Sequence, residues 1–201
     1  VTITVNPASQ LIMITEIMYH PQSTNDAEEW IELYNTGFSN VNLAGWQFTK
    51  GISYTFPAGA PSVLAGQQRL IIAADVAAFQ STHPGFFGVV IGGWTGTLSN
   101  SGESVELSDA AGNRIDTVEY SDQGDWATHV AGPLDNGHRG WEWEALHDGG
   151  GRSLELINPE LSNNQAQNWS SSSSSGGTPG AANSVASANI APMISDVSHF
   201  P

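Results

Sequence analysis

The chain reads as an all-β protein, a sandwich or barrel with at most one short helix. Short runs rich in Ile, Val, Tyr, Trp and Phe recur along its length, as strands do. Clusters of Gly, Pro, Asn and Asp separate them, as at 35–40 (NTGFSN), 61–68 and 109–113 (DAAGN). Only the segment after Asp75 carries both a helix start and a helix stop.

The organising stretch is 12–37. Two strand-forming runs, 12–19 and 30–34, flank a polar connection containing Pro21, Asn25 and Asp26. Apolar residues occupy both parities of the first run: Ile12, Ile14 and Met18 on one, Met13, Ile17 and Tyr19 on the other. A strand with apolar residues on both faces suits a sheet covered on both sides. Glu16, Glu29 and Glu32 are threaded through these runs. Further strands are expected at 41–49 (VNLAGWQFT), 52–56 (ISYTF, stopped by Pro57) and 69–74 (RLIIAA). Asp75 is placed to cap a helix through VAAFQSTH that Pro84 closes. Strand-like runs follow at 89–91 and 94–98, then 105–107 and 115–120 joined by the DAAGN turn, then 152–157 (RSLELI).

The sequence divides into a domain over 11–169 with flanking pieces. Residues 1–5 (VTITV) alternate like a strand and end at Asn6-Pro7, so 1–10 reads as the end of a preceding segment. That start lacks the basic residues of a signal peptide, and the chain reads as a piece of a longer one. Residues 127–151 hold no clean alternation and read as one long irregular loop insertion. The serine run at 170–175 and GGTPGAAN at 176–183 have linker composition, giving a linker over 170–189. Residues 190–201 read as the start of a following domain.

Charge sets limits on function. Five Lys and Arg face twenty Asp and Glu, a net charge of −15. Nucleic acid and anionic membranes both call for basic patches, so neither is an expected partner. With no cysteine, disulfides, thiolate zinc sites and Cys nucleophiles are excluded. No run approaches the roughly 18 apolar residues of a membrane span.

Several blocks together resemble a known family. ITEIMYHP (14–21), EWIELYNTG (29–37), VNLAGWQFT (41–49), YTFP (54–57) and RLIIAAD (69–75) are similar to the opening of a bacterial-type lamin-tail domain. LSNSGESVELSDAAGNRIDTVEY (98–120), RSLELINP (152–159) and NW…GGTPGAAN (168–183) extend the resemblance over most of the chain. It implies an immunoglobulin-like β-sandwich. It further implies a non-catalytic accessory module, structural or adhesive, in a larger secreted or cell-surface bacterial protein, with neighbouring domains of the same polypeptide as partners. The family supplies no catalytic residues to carry over. The stretch 127–147 departs from it, being longer than a simple sandwich needs.

Two acidic clusters have the carboxylate density of a calcium loop: Asp26, Glu28 and Glu29, which Glu16 could join from the next strand, and Glu119, Asp122 and Asp125. Neither has EF-hand spacing, and solvated loops and Asx turns use the same residues. Calcium is thus the one cofactor the sequence suggests, with Asp26, Glu28, Glu29, Asp122 and Asp125 as its ligands. His129, His138 and His147 recur every nine residues, and Glu144 stands three before His147. A Glu-x-x-His pair serves a metal when a helix puts both on one face, but the glycines here oppose a helix. Glu142 and Glu144 could be drawn as a glycosidase pair, yet nothing else marks a cleft.

Trp141 and Trp143 would share a face on an extended segment. With Arg139 beside them and Trp94 near, they could form a platform for a polysaccharide or a protein. A carbohydrate-binding module is therefore the first rival reading, and a hydrolase with its site in 127–147 the second. Trp30, Trp46, Trp126 and Trp169 read as core anchors. Asn168-Trp169-Ser170 fits a glycosylation sequon.

Overall fold

A computed structural model describes residues 11–190. The expected strand at 1–5 and all but the first residue of the expected following domain at 190–201 lie outside the described residues. The strands are β1 (Ile12–Met18), β2 (Trp30–Asn35), β3 (Val41–Asn42), β4 (Gln47–Lys50), β5 (Tyr54–Thr55), β6 (Val63–Leu64) and β7 (Arg69–Ala73). After helix α1 (Val76–Thr82) come β8 (Val90–Gly92), β9 (Gly102–Ser108), β10 (Arg114–Ser121), β11 (Thr128–Asp135), β12 (His138–Glu144), β13 (Leu154–Leu156) and β14 (Trp169–Ser171).

Two sheets face each other. One has the order β14-β13-β1-β2-β7-β8 and the other β10-β9-β4-β5. All pairings are antiparallel except β7 with β8. Between them lies one apolar core. Ile14, Ile17, Ile31, Leu33, Ile72 and Leu154 come from the larger sheet, and Phe48, Val105, Leu107 and Val118 from the smaller. The expected all-β, immunoglobulin-like sandwich with one short helix is what forms. Asp75 caps that helix by accepting from the Ala78 N–H at 2.9 Å.

The doubly apolar character of the first strand has two causes. Its second face is also covered, by α1 and the chain after it: Met18, Trp30, Ile71, Ala73 and Phe79 form a second, smaller core there. In addition, β1 carries a bulge. Ile14 pairs with Leu33 and Glu16 with Glu32, leaving Thr15 as the extra residue. The bulge shifts the face assignment by one. Ile12, Ile14, Ile17 and Tyr19 all reach the main core, and Met18 belongs to the outer one, not with Ile12 and Ile14 as strict alternation predicts. At the bulge, the Ile14 N–H donates to Asp116 of β10 at 2.6 Å, tying the two sheets together.

Three sequence expectations are corrected. The run 41–49 is two strands, β3 and β4, because Gly45 turns the chain at φ +78°. The insertion at 127–151 is not irregular for most of its length: β11 and β12 pair as an antiparallel ribbon. The stretch 170–189 is not a free linker. β14 joins the large sheet, and the chain after it lies along that sheet's outer face as a strap. The Asn183 side chain donates to the Thr15 and Leu156 carbonyls at 2.9 and 2.8 Å, and the Ser187 N–H donates to the Ile157 carbonyl at 3.1 Å. Serine, glycine and asparagine are linker residues in water, but here their short side chains and bare backbone serve as donors.

The close approach of the strap depends on Gly177. Its φ is +81°, and a Cβ there would fall on the Glu16 carboxylate and the Ser153 hydroxyl. Gly112, at φ +83°, has nothing near its absent Cβ. In urea unfolding, Gly112→Ala should cost about 1 kcal/mol, the penalty of left-handed backbone alone. Gly177→Ala should cost at least ~2 kcal/mol more, because a buried carboxylate must move as well. Equal losses would mean the strap does not press on the sheet.

Candidate functional site

Two polar features stand out, one buried and one exposed. The buried one is a row of carboxylates across the large sheet. Glu16 pairs in register with Glu32 on one side and Glu155 on the other. All three are fully buried, on the outer face beneath the strap. Thr178 donates its N–H to Glu16 at 2.7 Å and its hydroxyl to Glu155 at 2.7 Å. Gly180 donates its N–H to Glu32 at 2.8 Å, and Ser184 its hydroxyl to Glu155 at 2.8 Å. From the sheet, Ser153 donates to Glu16 at 2.5 Å, Thr15 to Glu32 at 2.7 Å and Arg69 to Glu32 at 3.1 Å. Burial, and for Glu16 the neighbouring Glu32, push two of these acids up: Glu32 to about 7 and Glu16 well above the ordinary carboxylate range.

The proposed calcium ligands do not converge. Glu29 turns inward, fully buried, and accepts from the Leu98 N–H at 3.0 Å; burial raises it to about 8. Asp26 stays in solvent on a 3-10 turn, and Glu28 accepts from Ser23 and Asn25 at 2.7 and 3.2 Å. Asp125 accepts from Gln167 at 2.7 Å, and Asp122 from the Ser121 hydroxyl at 3.4 Å. Among the described residues no three His, Asp or Glu side chains are grouped to hold a metal. The alternation of β2 explains this, since the residue after Glu28 already belongs to a face that points indoors.

His147 is likewise structural. It is buried, with Nδ1 2.7 Å from the Tyr19 hydroxyl and Nε2 2.8 Å from the Trp126 carbonyl. With Nε2–H donating to that carbonyl, Nδ1 accepts the tyrosine proton, and burial holds the imidazole below its usual range. Glu144 ends β12 in solvent, so the Glu-x-x-His pair never shares a face. Trp94 is buried in the main core and does not join the loop tryptophans. Asn168 is buried as well, donating to the Asn158 and Ser162 carbonyls, so the sequon is closed to modification in the folded chain.

The exposed feature is the β11–β12 ribbon. Its tip is Asn136-Gly137, with φ +47° and +84°. Positive φ at both central residues, with Asp135 paired to His138, is the arrangement whose twist suits a two-residue hairpin. Asn-Gly at 136–137 is the sequence signal of this hairpin. The lack of alternation that hid the ribbon has a cause in Gly132-Pro133, where the register breaks between Ala131 and Leu134.

Residues paired across an antiparallel ribbon share a face. His129 with Trp143, Ala131 with Trp141, and Leu134 with Arg139 form one face. Thr128 with Glu144, Val130 with Glu142, and Asp135 with His138 form the other. The three sequence-predicted surface residues thus come together, and every residue of β12 is exposed. Trp141 is 71% exposed and Trp143 49%. The His129 ring stacks on Trp143 at 3.7 Å, with Trp141 5.9 Å away. The ion pairs among the described residues are His20–Asp148, Lys50–Glu106 and Arg69–Glu32, so Arg139 faces no carboxylate there.

These features define a two-sheet, immunoglobulin-like module with four glutamates turned inward and one aromatic arm turned out. The family model of the lamin tail domain matches residues 6–122. That is more than half of the 201 residues, and the chain belongs to the lamin tail domain family, a structural, non-enzymatic immunoglobulin-like family. The matched span ends just before the ribbon. No curated protein matches the chain.

The raised carboxyls fix a pH dependence. The folded state holds protons on Glu16, Glu29 and Glu32 more tightly than the unfolded chain does. Their contribution is complete below the ordinary value of 4.5 and is lost as pH rises through about 7 and 8. His147 acts oppositely, weakening the fold as pH falls below 6.5. Thermal unfolding should therefore show a falling midpoint from pH 6 to about pH 9. Glu29→Gln, which stays neutral, should flatten the upper part of that fall. A midpoint that rises over this range would refute the assignment.

Proposed function

We propose that this lamin tail domain is a non-catalytic structural and adhesive module of a larger secreted or cell-surface bacterial protein, and that the β11–β12 ribbon is its contact surface. The observation that carries the reading is the ribbon's aromatic face, held off the sandwich with Trp141 and Trp143 in solvent. Exposed aromatics gathered on one face favour contact with a partner. The buried ionisable groups support the same reading, because their hydrogen bonds run to strap, strand and loop atoms of the fold itself. Neighbouring domains of the same polypeptide are the setting in which such a module would space and present its arm.

Co-sedimentation with insoluble bacterial extracellular matrix tests this. A variant with 130–142 replaced by a two-residue Asn-Gly turn should keep the parent's unfolding free energy within about 1 kcal/mol and lose retention on the matrix. Equal retention of the shortened variant would remove the ribbon from the function.

A further inference from the structure

The footprint of the ribbon narrows what it can bind. Each strand presents seven or eight residues. At about 3.4 Å per residue, with strands about 4.8 Å apart, the ribbon has a plan area of roughly 250 Å², which its projecting side chains, at about 150–250 Å² for a whole aromatic one, raise to several hundred Å² of accessible surface. A specific protein partner, or a second copy of this chain, needs about 800 Å² on each side. The strip is long and narrow, which suits an extended polymer lying along β12. Trp141 and Trp143 are about 7 Å apart along the strand, near enough for one extended sugar chain to cross both. An aromatic face meets the C–H face of a pyranose well, since both are apolar in the middle and polar at the rim.

Charge narrows it further. Arg114, Arg139 and Arg152 all lack an ion pair among the described residues, but of these three Arg139 is the one that shares a face with the exposed tryptophans. Asp135, Glu142 and Glu144 all lie on the opposite face of the ribbon. A guanidinium kept free in this way matches a carboxylate, which it can grip through two parallel N–H donors. The partner face is therefore apolar, linear and anionic.

We infer that the Arg139–Trp141–Trp143 face of the ribbon binds a uronic-acid polysaccharide, two sugar rings stacking on the tryptophans and a ring carboxylate pairing with Arg139. This rests on the reading of the ribbon as a contact surface. The carboxylates of the sandwich repel such a chain at long range, and at 0.15 M salt the Debye length of about 8 Å screens them while leaving the Arg139 contact intact.

The test is calorimetry of the full chain at 0.15 M salt with an alginate oligosaccharide and with the same oligosaccharide after its carboxyls are reduced to alcohols. The native chain should bind the uronate form, Trp141→Ala should abolish binding, and Arg139→Gln should weaken it about tenfold, to the level of the reduced form. Both substituted positions are exposed on the ribbon, and unchanged unfolding midpoints would confirm intact folds. Equal binding of the reduced sugar, or no effect of Arg139→Gln, would overturn the inference, as would binding of neither sugar. Self-association that Trp141→Ala abolishes would overturn it in favour of a second copy. If the native chain sediments with matrix but binds neither sugar, this inference falls and the module reading stands.

Discussion

Three carboxylates in a row beneath a strap of serines and glycines set the terms for the larger sheet. Glu16, Glu32 and Glu155 sit on adjacent strands, where like charges directly opposite oppose pairing. They are tolerated because Thr178, Gly180 and Ser184 reach them with backbone and hydroxyl donors, and because burial keeps part of the set protonated. Strap and carboxylates therefore depend on each other. Without the strap the acids would face solvent on an open sheet; without the acids Thr178, Gly180 and Ser184 would lose the acceptors that draw this part of the strap onto the sheet.

The same division organises the rest of the molecule. One face of the large sheet meets the smaller sheet in the main core; the other is closed at one end by α1 and at the other by the strap. His83 links these two covers, stacking on Phe79 at 4.5 Å while its Nε2 lies 2.9 Å from the Gly176 carbonyl. The large sheet is thus closed on both faces, while the smaller sheet turns a polar outer face, with Gln47, Thr49 and Lys50, to solvent. The ribbon is the element released from packing. Its base is held through Trp126, whose carbonyl meets His147 and whose ring lies 6.1 Å from that of Trp169.

Much of this was readable in the residues. Strand positions, the Asp75 cap and the lamin-tail blocks follow from period, punctuation and motif order. The two covered faces were visible in the mixed parity of 12–19, but the Thr15 bulge was not, because a bulge leaves no mark when both flanking faces are apolar. The shared face of Trp141 and Trp143 was legible from their i, i+2 spacing. The ribbon that carries them was hidden by Gly132-Pro133, although Asn136-Gly137 announced its turn. The strap was misread because composition describes how a segment behaves in water. Its role depends on acceptors 23 to 168 residues away in sequence, and no local window contains them.

Hydrogen exchange of the Thr178 and Gly180 amides tests the mutual dependence of strap and carboxylates most directly. If these N–H groups are held by buried carboxylates, they should exchange as slowly as the amides of β1 and β2, and quicken together with them in Glu16→Ala. Exchange at the rate of an open chain would contradict the account, returning 170–189 to a linker and leaving the acids only their partners on the sheet itself.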